Sequence, residues 1–230
     1  MKAALALVAL FSLVACSDDN PGMPIDAPDA PIDASFDTLP GCGGDVTFTG
    51  EYVDWDSAVA SFQGIFEARF TVVPIASRTA LTAPNGRVTL CLTDGPTVRV
   101  TATHPMYTPA VFLADPDVFT PGGSTFSARG LARADRDAHY GALMAGMTFD
   151  PLRAHVLVEK RGTAVPLALA GATLRFAYNA EVWAAGDTGS QVFFPNVPVG
   201  TGVATLSGGS FVGPTQIELV AGQLTVVPLR

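Results

Sequence analysis

Between Val46 and Ala114 apolar and polar residues alternate with period two, the spacing that sends successive side chains to opposite faces of a strand. Val46, Phe48 and Tyr52 share one face, and Phe66, Ala68, Phe70 and Val72 follow, separated by Glu67, Arg69 and Thr71. Two strands are predicted there. Ala83-Pro84-Asn85-Gly86 predicts a turn, because glycine takes a positive φ without steric cost. Behind it Val88, Leu90 and Leu92 alternate with Arg87, Thr89 and Cys91. After Gly95-Pro96, Val98, Val100 and Ala102 alternate with Arg99 and Thr101; the pattern breaks at His104-Pro105, and a further strand is expected near Ala110 to Ala114. Only Leu131 to Met147 reads as helix. Tyr140, Leu143, Met144 and Met147 fall at i, i+3, i+4 and i+7, Asp135 and Asp137 suit a helix start, and Gly146 suits its C-terminal end. Gly141 weakens that helix from within.

The chain ahead of Val46 has neither period. Lys2, an apolar run and small residues up to Cys16 follow the order of an export signal. Leu13-Val14-Ala15-Cys16 resembles the lipobox of bacterial lipoproteins. The resemblance implies a diacylglyceryl group on the Cys16 sulfur, cleavage before Cys16 and acylation of the new amino terminus. Residues 1–15 are then a signal peptide and Cys16 the lipid attachment site. In that family an Asp after the Cys favours retention in the inner membrane; Ser17 stands there, so a lipid-anchored place at the outer membrane is expected. Residues 16–41, a Pro, Asp and Ala mixture, read as a solvated tether, and their Asp-Ala-Pro units resemble the tethers of Gram-negative lipoproteins. Extended at roughly 3 Å per residue, such a tether reaches about 70 Å. Beyond the signal no apolar run approaches the roughly 18 to 20 residues of a membrane-spanning helix, so attachment rests on acyl chains.

Composition agrees with a sheet protein: 48% of residues are hydrophobic, 15% charged, and 23 Gly with 18 Pro punctuate the chain. Most of the net charge of -8 comes from Asp18, Asp19, Asp26, Asp29, Asp33 and Asp37, leaving the remainder near neutral. No cluster of Lys and Arg offers a nucleic-acid footprint. With Cys16 acylated, Cys42 and Cys91 remain. In an exported protein two thiols most simply pair as a disulfide, the alternative being two unpaired thiols. Neither lies in a C-x-x-C, so zinc or redox spacing is lacking.

Thr82-Ala83-Pro84-Asn85-Gly86-Arg87-Val88, Gly95 and Met106-Tyr107-Thr108-Pro109 resemble the carboxypeptidase regulatory-like module, a small transthyretin-like β-sandwich, with Met106 standing where that family usually has Gly. The second half resembles it more fully, through Leu169-Ala170-Gly171-Ala172-Thr173-Leu174, Thr188-Gly189, Val192 to Gly200 and Ala221 to Val226. The resemblance implies an all-β chain of two transthyretin-like, Greek-key, immunoglobulin-like sandwiches. They would occupy residues 42–125 and 151–230, joined by a helical connector at 126–150. Phe194 and Val197 would fill the second sandwich, with Pro198 and Gly200 turning the corner before Val203 to Leu206. Such modules accompany enzymes, uptake systems and adhesins alike, so the resemblance speaks for fold and not for activity.

No Gly-x-Ser-x-Gly, His-Glu-x-x-His, Walker loop or dinucleotide fingerprint occurs in the chain. His104, His139 and His155 are scattered and read as structural histidines. Asp54/Asp56, Asp115/Asp117 and Asp135/Asp137 each supply two carboxylates, too few for a calcium site, so turn and helix-start roles are expected, with no cofactor and no metal. Trp55, Tyr107, Tyr178 and Trp183 are the candidate ligand-facing aromatics. The leading expectation is a non-enzymatic envelope lipoprotein that binds or scaffolds an envelope protein or glycan. Two other classes stay open: a carbohydrate-binding accessory module presenting those aromatics, and a hydrolase built from loop carboxylates.

Overall fold

The computed structural model describes residues 46–57, 63–75, 77–92, 97–115, 118, 125–160 and 165–230, all within the unit Leu39–Arg230. The expected signal peptide, Cys16, the tether and Cys42 lie outside the described residues. The first half carries β1 (Val46–Asp54), β2 (Arg69–Val73), β3 (Thr79–Leu81), β4 (Arg87–Leu92), β5 (Val98–Thr103), β6 (Ala110–Ala114), β7 (Thr125–Gly130) and α1 (Arg136–Leu143). The second carries β8 (Ala154–Lys160), β9 (Leu167–Leu169), β10 (Phe176–Asn179), β11 (Val182–Ala185), β12 (Gln191–Val197), β13 (Val203–Gly208), β14 (Gln216–Glu218) and β15 (Leu224–Leu229). The all-β expectation holds.

One nine-stranded sheet, ordered β11-β10-β12-β8-β15-β6-β5-β2-β3, runs through both halves, and two three-stranded sheets, β4-β1-β7 and β14-β13-β9, cover it. Alternation decides which side each covers. Phe112, Leu157, Phe193 and Val226 join one apolar cluster with Phe48, Tyr52, Leu90 and Leu92 of the β4-β1-β7 sheet. Their chain neighbours Val111, Val156, Val158, Phe194 and Val227 join a second with Leu169, Leu206 and Ile217 of the β14-β13-β9 sheet. The small sheets therefore lie on opposite faces of the large one, giving three layers and two cores. Edge-to-face contacts of Tyr52 with Phe70 (5.6 Å) and Phe112 (6.0 Å) tie the first core together.

Two self-contained sandwiches joined by a helix do not describe this pairing. β15 lies parallel between β6 and β8, with Leu224 across from both Ala110 and His155. The reason is burial: β6, β8 and β15 are buried at every position, so none serves as a solvent-facing edge, and each needs a hydrogen-bonded neighbour on both sides. Nor is 126–150 simply a connector. It opens inside β7, which runs parallel to β1 in the first small sheet.

The helix is shorter than the expected Leu131 to Met147. At its start Ala132 is bridged to Tyr107 and the Leu131 carbonyl accepts from Thr108 N–H, which withdraws both residues from the helix. At its end Met144 is extended and Gly146 takes φ 79°. Of the expected stripe, Tyr140 and Met147 are buried and Met144 is exposed. Phe66 also departs from expectation: it stands half exposed in a turn, and β2 begins only at Arg69. β4 and β5 alternate as predicted, with Val88, Leu90, Leu92, Val98, Val100 and Ala102 inward. Gly86 takes φ 79°, and a Cβ there would sit 2.2 Å from the Tyr52 carbonyl oxygen, so the turn requires glycine on both counts.

Candidate functional site

Three of the four candidate aromatics come together, facing inward. Trp55, just past β1 and 3% exposed, stacks on Trp183 of β11 at 5.1 Å and 10° and meets Phe193 edge-on. Tyr178 of β10 tilts against Trp183 and is itself buried. The group is packing between the two halves of the chain and not a stacking platform in one exposed plane. Tyr107 stands apart, half-buried, its hydroxyl donating to Asp54 Oδ2 at 2.7 Å. Burial and that bond to Asp54 push its ionisation upward.

The residue that organises this end is Arg129 of β7. It is buried, and its Nη1 donates to the carbonyls of Trp55 (2.6 Å) and Ser57 (2.7 Å) while Nε donates to Gln191 Oε1. Its guanidinium carbon lies 4.2 Å from the Tyr178 ring centroid. Desolvation lowers the guanidinium's proton affinity, opposed by Tyr178 and by the charges of Asp56 and Asp54. No signal in the sequence marks Arg129, because an arginine alternating within a strand reads as solvent-facing.

Asp54, Asp137 and the three histidines have structural partners, whereas Asp135 at the helix start makes no side-chain cap hydrogen bond. Asp54 Oδ1 accepts from Asp56 N–H, as a turn-forming role predicts, and Asp137 Oδ1 accepts from Phe149 N–H. His104 Nδ1 accepts from Met106 N–H, and His139 Nδ1 lies 3.2 Å from Asp56. His155 is fully buried, bonded to Tyr140, Asn196 and the Asp150 carbonyl. Asp117 lies outside the described residues. Among the described residues no group of three or more His, Cys, Asp or Glu converges as a metal site, and no helix is long and apolar enough to cross a membrane. Cys91 is half-buried across from Thr47, on the face of β4 opposite Leu90 and Leu92.

A concave surface lies elsewhere among the described residues. An open groove of about 630 Å³ lies over the ends of β2, β3 and β5, where Leu81, Arg69 and Thr103 stand in one cross-strand row. His104, Pro105, Pro109 and Arg133 flank that row, and Glu67 forms the lip. The lip is held rigidly: Glu67 takes φ 59°, a left-handed conformation costing a non-glycine residue roughly 1–2 kcal/mol. Its N–H donates to the Thr82 carbonyl, while the buried Thr82 hydroxyl donates to the Ile65 carbonyl and accepts from Ala68 N–H. Opposite it, Arg133 is fixed by its own N–H on the Met106 carbonyl and by Nε on the Tyr107 carbonyl at 2.9 Å. The lining residues come from four stretches of the chain, around 67–69, 81, 103–109 and 133, so no single local motif announces them. Compared with known proteins, the chain matches no family model, no curated protein and no solved structure.

Proposed function

We propose that the protein is a non-enzymatic lipoprotein of the bacterial cell envelope, tethered through Cys16 at the outer membrane and serving as a binding or scaffolding body. The observation that carries a binding role is the groove, whose lip and flank are pinned by backbone hydrogen bonds before any ligand arrives. The lipobox residues and the acidic tether support the address. In this reading the two halves descend from two carboxypeptidase regulatory-like modules whose larger sheets have fused through β15. A bridge between Cys42 and Cys91 then pins the end of the tether to the outer face of β4. The glycan-presenting alternative loses its support to the inward Trp55, Tyr178 and Trp183. The hydrolase alternative loses its own to Asp54, which is occupied by Asp56 and Tyr107.

Fractionation of cells producing the Cys16→Ser variant tests the address. The variant should appear as soluble or unprocessed protein; recovery in the outer-membrane fraction at the mature mass overturns the lipid anchor.

A further inference from the structure

The groove over β2, β3 and β5 contains an unusual charge. Arg87, Arg99, Arg153 and Arg175 are paired with Glu51, Glu218, Asp150 and Asp187. Arg129 is enclosed by carbonyls and Tyr178, and Arg136 lies over Phe149. Among the described residues the side chain of Arg69 alone of the arginines has neither hydrogen bond, ion pair nor ring contact. Glu67 lines the same groove and does not pair with it. The two charges are held apart: the positive φ of Glu67 and its bond to Thr82 set the lip, whereas Arg69 is placed by its register with Leu81 and Thr103.

From this arrangement we infer that the groove binds a short peptide, its carboxylate at Arg69 and Arg133 and its amino group at Glu67. Guanidinium forks match a carboxylate bidentately, and fixing Arg133 through Nε leaves its terminal nitrogens for the ligand. Leu81 is 41% exposed and, with Pro105 and Pro109, gives an apolar wall for one side chain of the peptide. The volume of about 630 Å³ admits a few residues and not a folded partner. A sugar acid would satisfy the arginines, but it brings neither an amino group for Glu67 nor an apolar side chain for Leu81, so the peptide is favoured.

The inference rests on reading the body as a binding module, and calorimetry on the full lipidated chain in detergent tests it separately from the anchor. The probes are the dipeptide Leu-Glu, its N-acetyl form, its C-terminal amide and glucuronic acid. Leu-Glu should bind saturably, with affinity falling about tenfold on acetylation and about tenfold in Arg69→Gln. The Arg69 side chain makes no hydrogen bond, ion pair or ring contact within the fold, so that variant should keep the wild-type melting temperature. Arg87→Gln, outside the groove, should bind as wild type. Equal affinity of wild type and Arg69→Gln, or silence toward every dipeptide form, overturns the inference. Glucuronic acid binding more tightly than Leu-Glu overturns the peptide assignment. None of these results touches the anchor, which depends on the fractionation of Cys16→Ser.

Discussion

Lowering the pH from 7.5 to 4.5 should destabilise the fold by roughly 2 to 3 kcal/mol through one side chain, His155. Its Nε2 lies 3.1 Å from the Asp150 carbonyl, which only accepts, so Nε2 carries the proton. Nδ1 is then the acceptor, taking the Tyr140 hydroxyl at 2.5 Å and Asn196 N–H at 3.3 Å. A second proton on Nδ1 would oppose two donors in a site without solvent, and the ring, stacked on Phe149, has no room to turn. Burial accordingly lowers the pKa from 6.5 to about 4, with the Asp150 carbonyl opposing the shift and Arg136 adding to it. Because the folded value lies below the unfolded one, the unfolded chain takes up the proton first. Stability is therefore complete above about pH 6.5 and is lost as the pH falls toward about 4, at about 1.4 kcal/mol per unit. Urea titrations of wild type and His155→Gln across this range isolate the effect, since carboxylates titrate alike in both. The wild-type curve should fall more steeply by roughly 2 to 3 kcal/mol; parallel curves would refute the assignment of a neutral, locked imidazole. Tyr140→Phe should cost about 1 kcal/mol at pH 7.5, because Asn196 still satisfies Nδ1.

Phe194, 1% exposed in the core beneath the β14-β13-β9 sheet, should cost about 3 to 5 kcal/mol when replaced by alanine, read as a fall in the urea midpoint. Deleting residues 224–230 should abolish cooperative unfolding of both halves, since β6 and β8 lose their shared neighbour; a surviving transition from the first half by near-ultraviolet circular dichroism would show that half to be independent. Thiol labelling of denatured, unreduced mature protein should find no free Cys42 or Cys91, and Cys42→Ser should lower stability by at most about 4 kcal/mol, the loop-closure contribution for that spacing. Two labelled cysteines would reject the bridge.

β4 and β5 are legible in the sequence because one face of each meets the core and the other is only partly covered, so inward and outward residues differ in kind. β6, β8 and β15 are covered on both faces, and AVFLA or LTVV carries no phase from which to read which core each residue enters. That loss of phase hides the shared sheet: two modules and one fused body present the same local patterns. The helix is overread because Met147 reaches the core from beyond the last turn, mimicking one more helical position. Trp55 and Trp183 are visible as aromatics, but their stacking is a contact across more than a hundred positions, set by pairing no local pattern encodes. Arg129 and the groove are hidden for the same reason.

β15 follows every other described strand in the chain and yet occupies the middle of the large sheet, with Leu224 beside Ala110. During synthesis from the amino terminus, β6 and β8 are complete long before the strand that joins them appears. Neither can finish its hydrogen bonding until residues 224–229 emerge, and closing the contact with β6 over more than a hundred residues is slow. The union of the two halves in one sheet thus waits for β15. The interval before β15 arrives is therefore the period in which exposed strand edges are most open to aggregation.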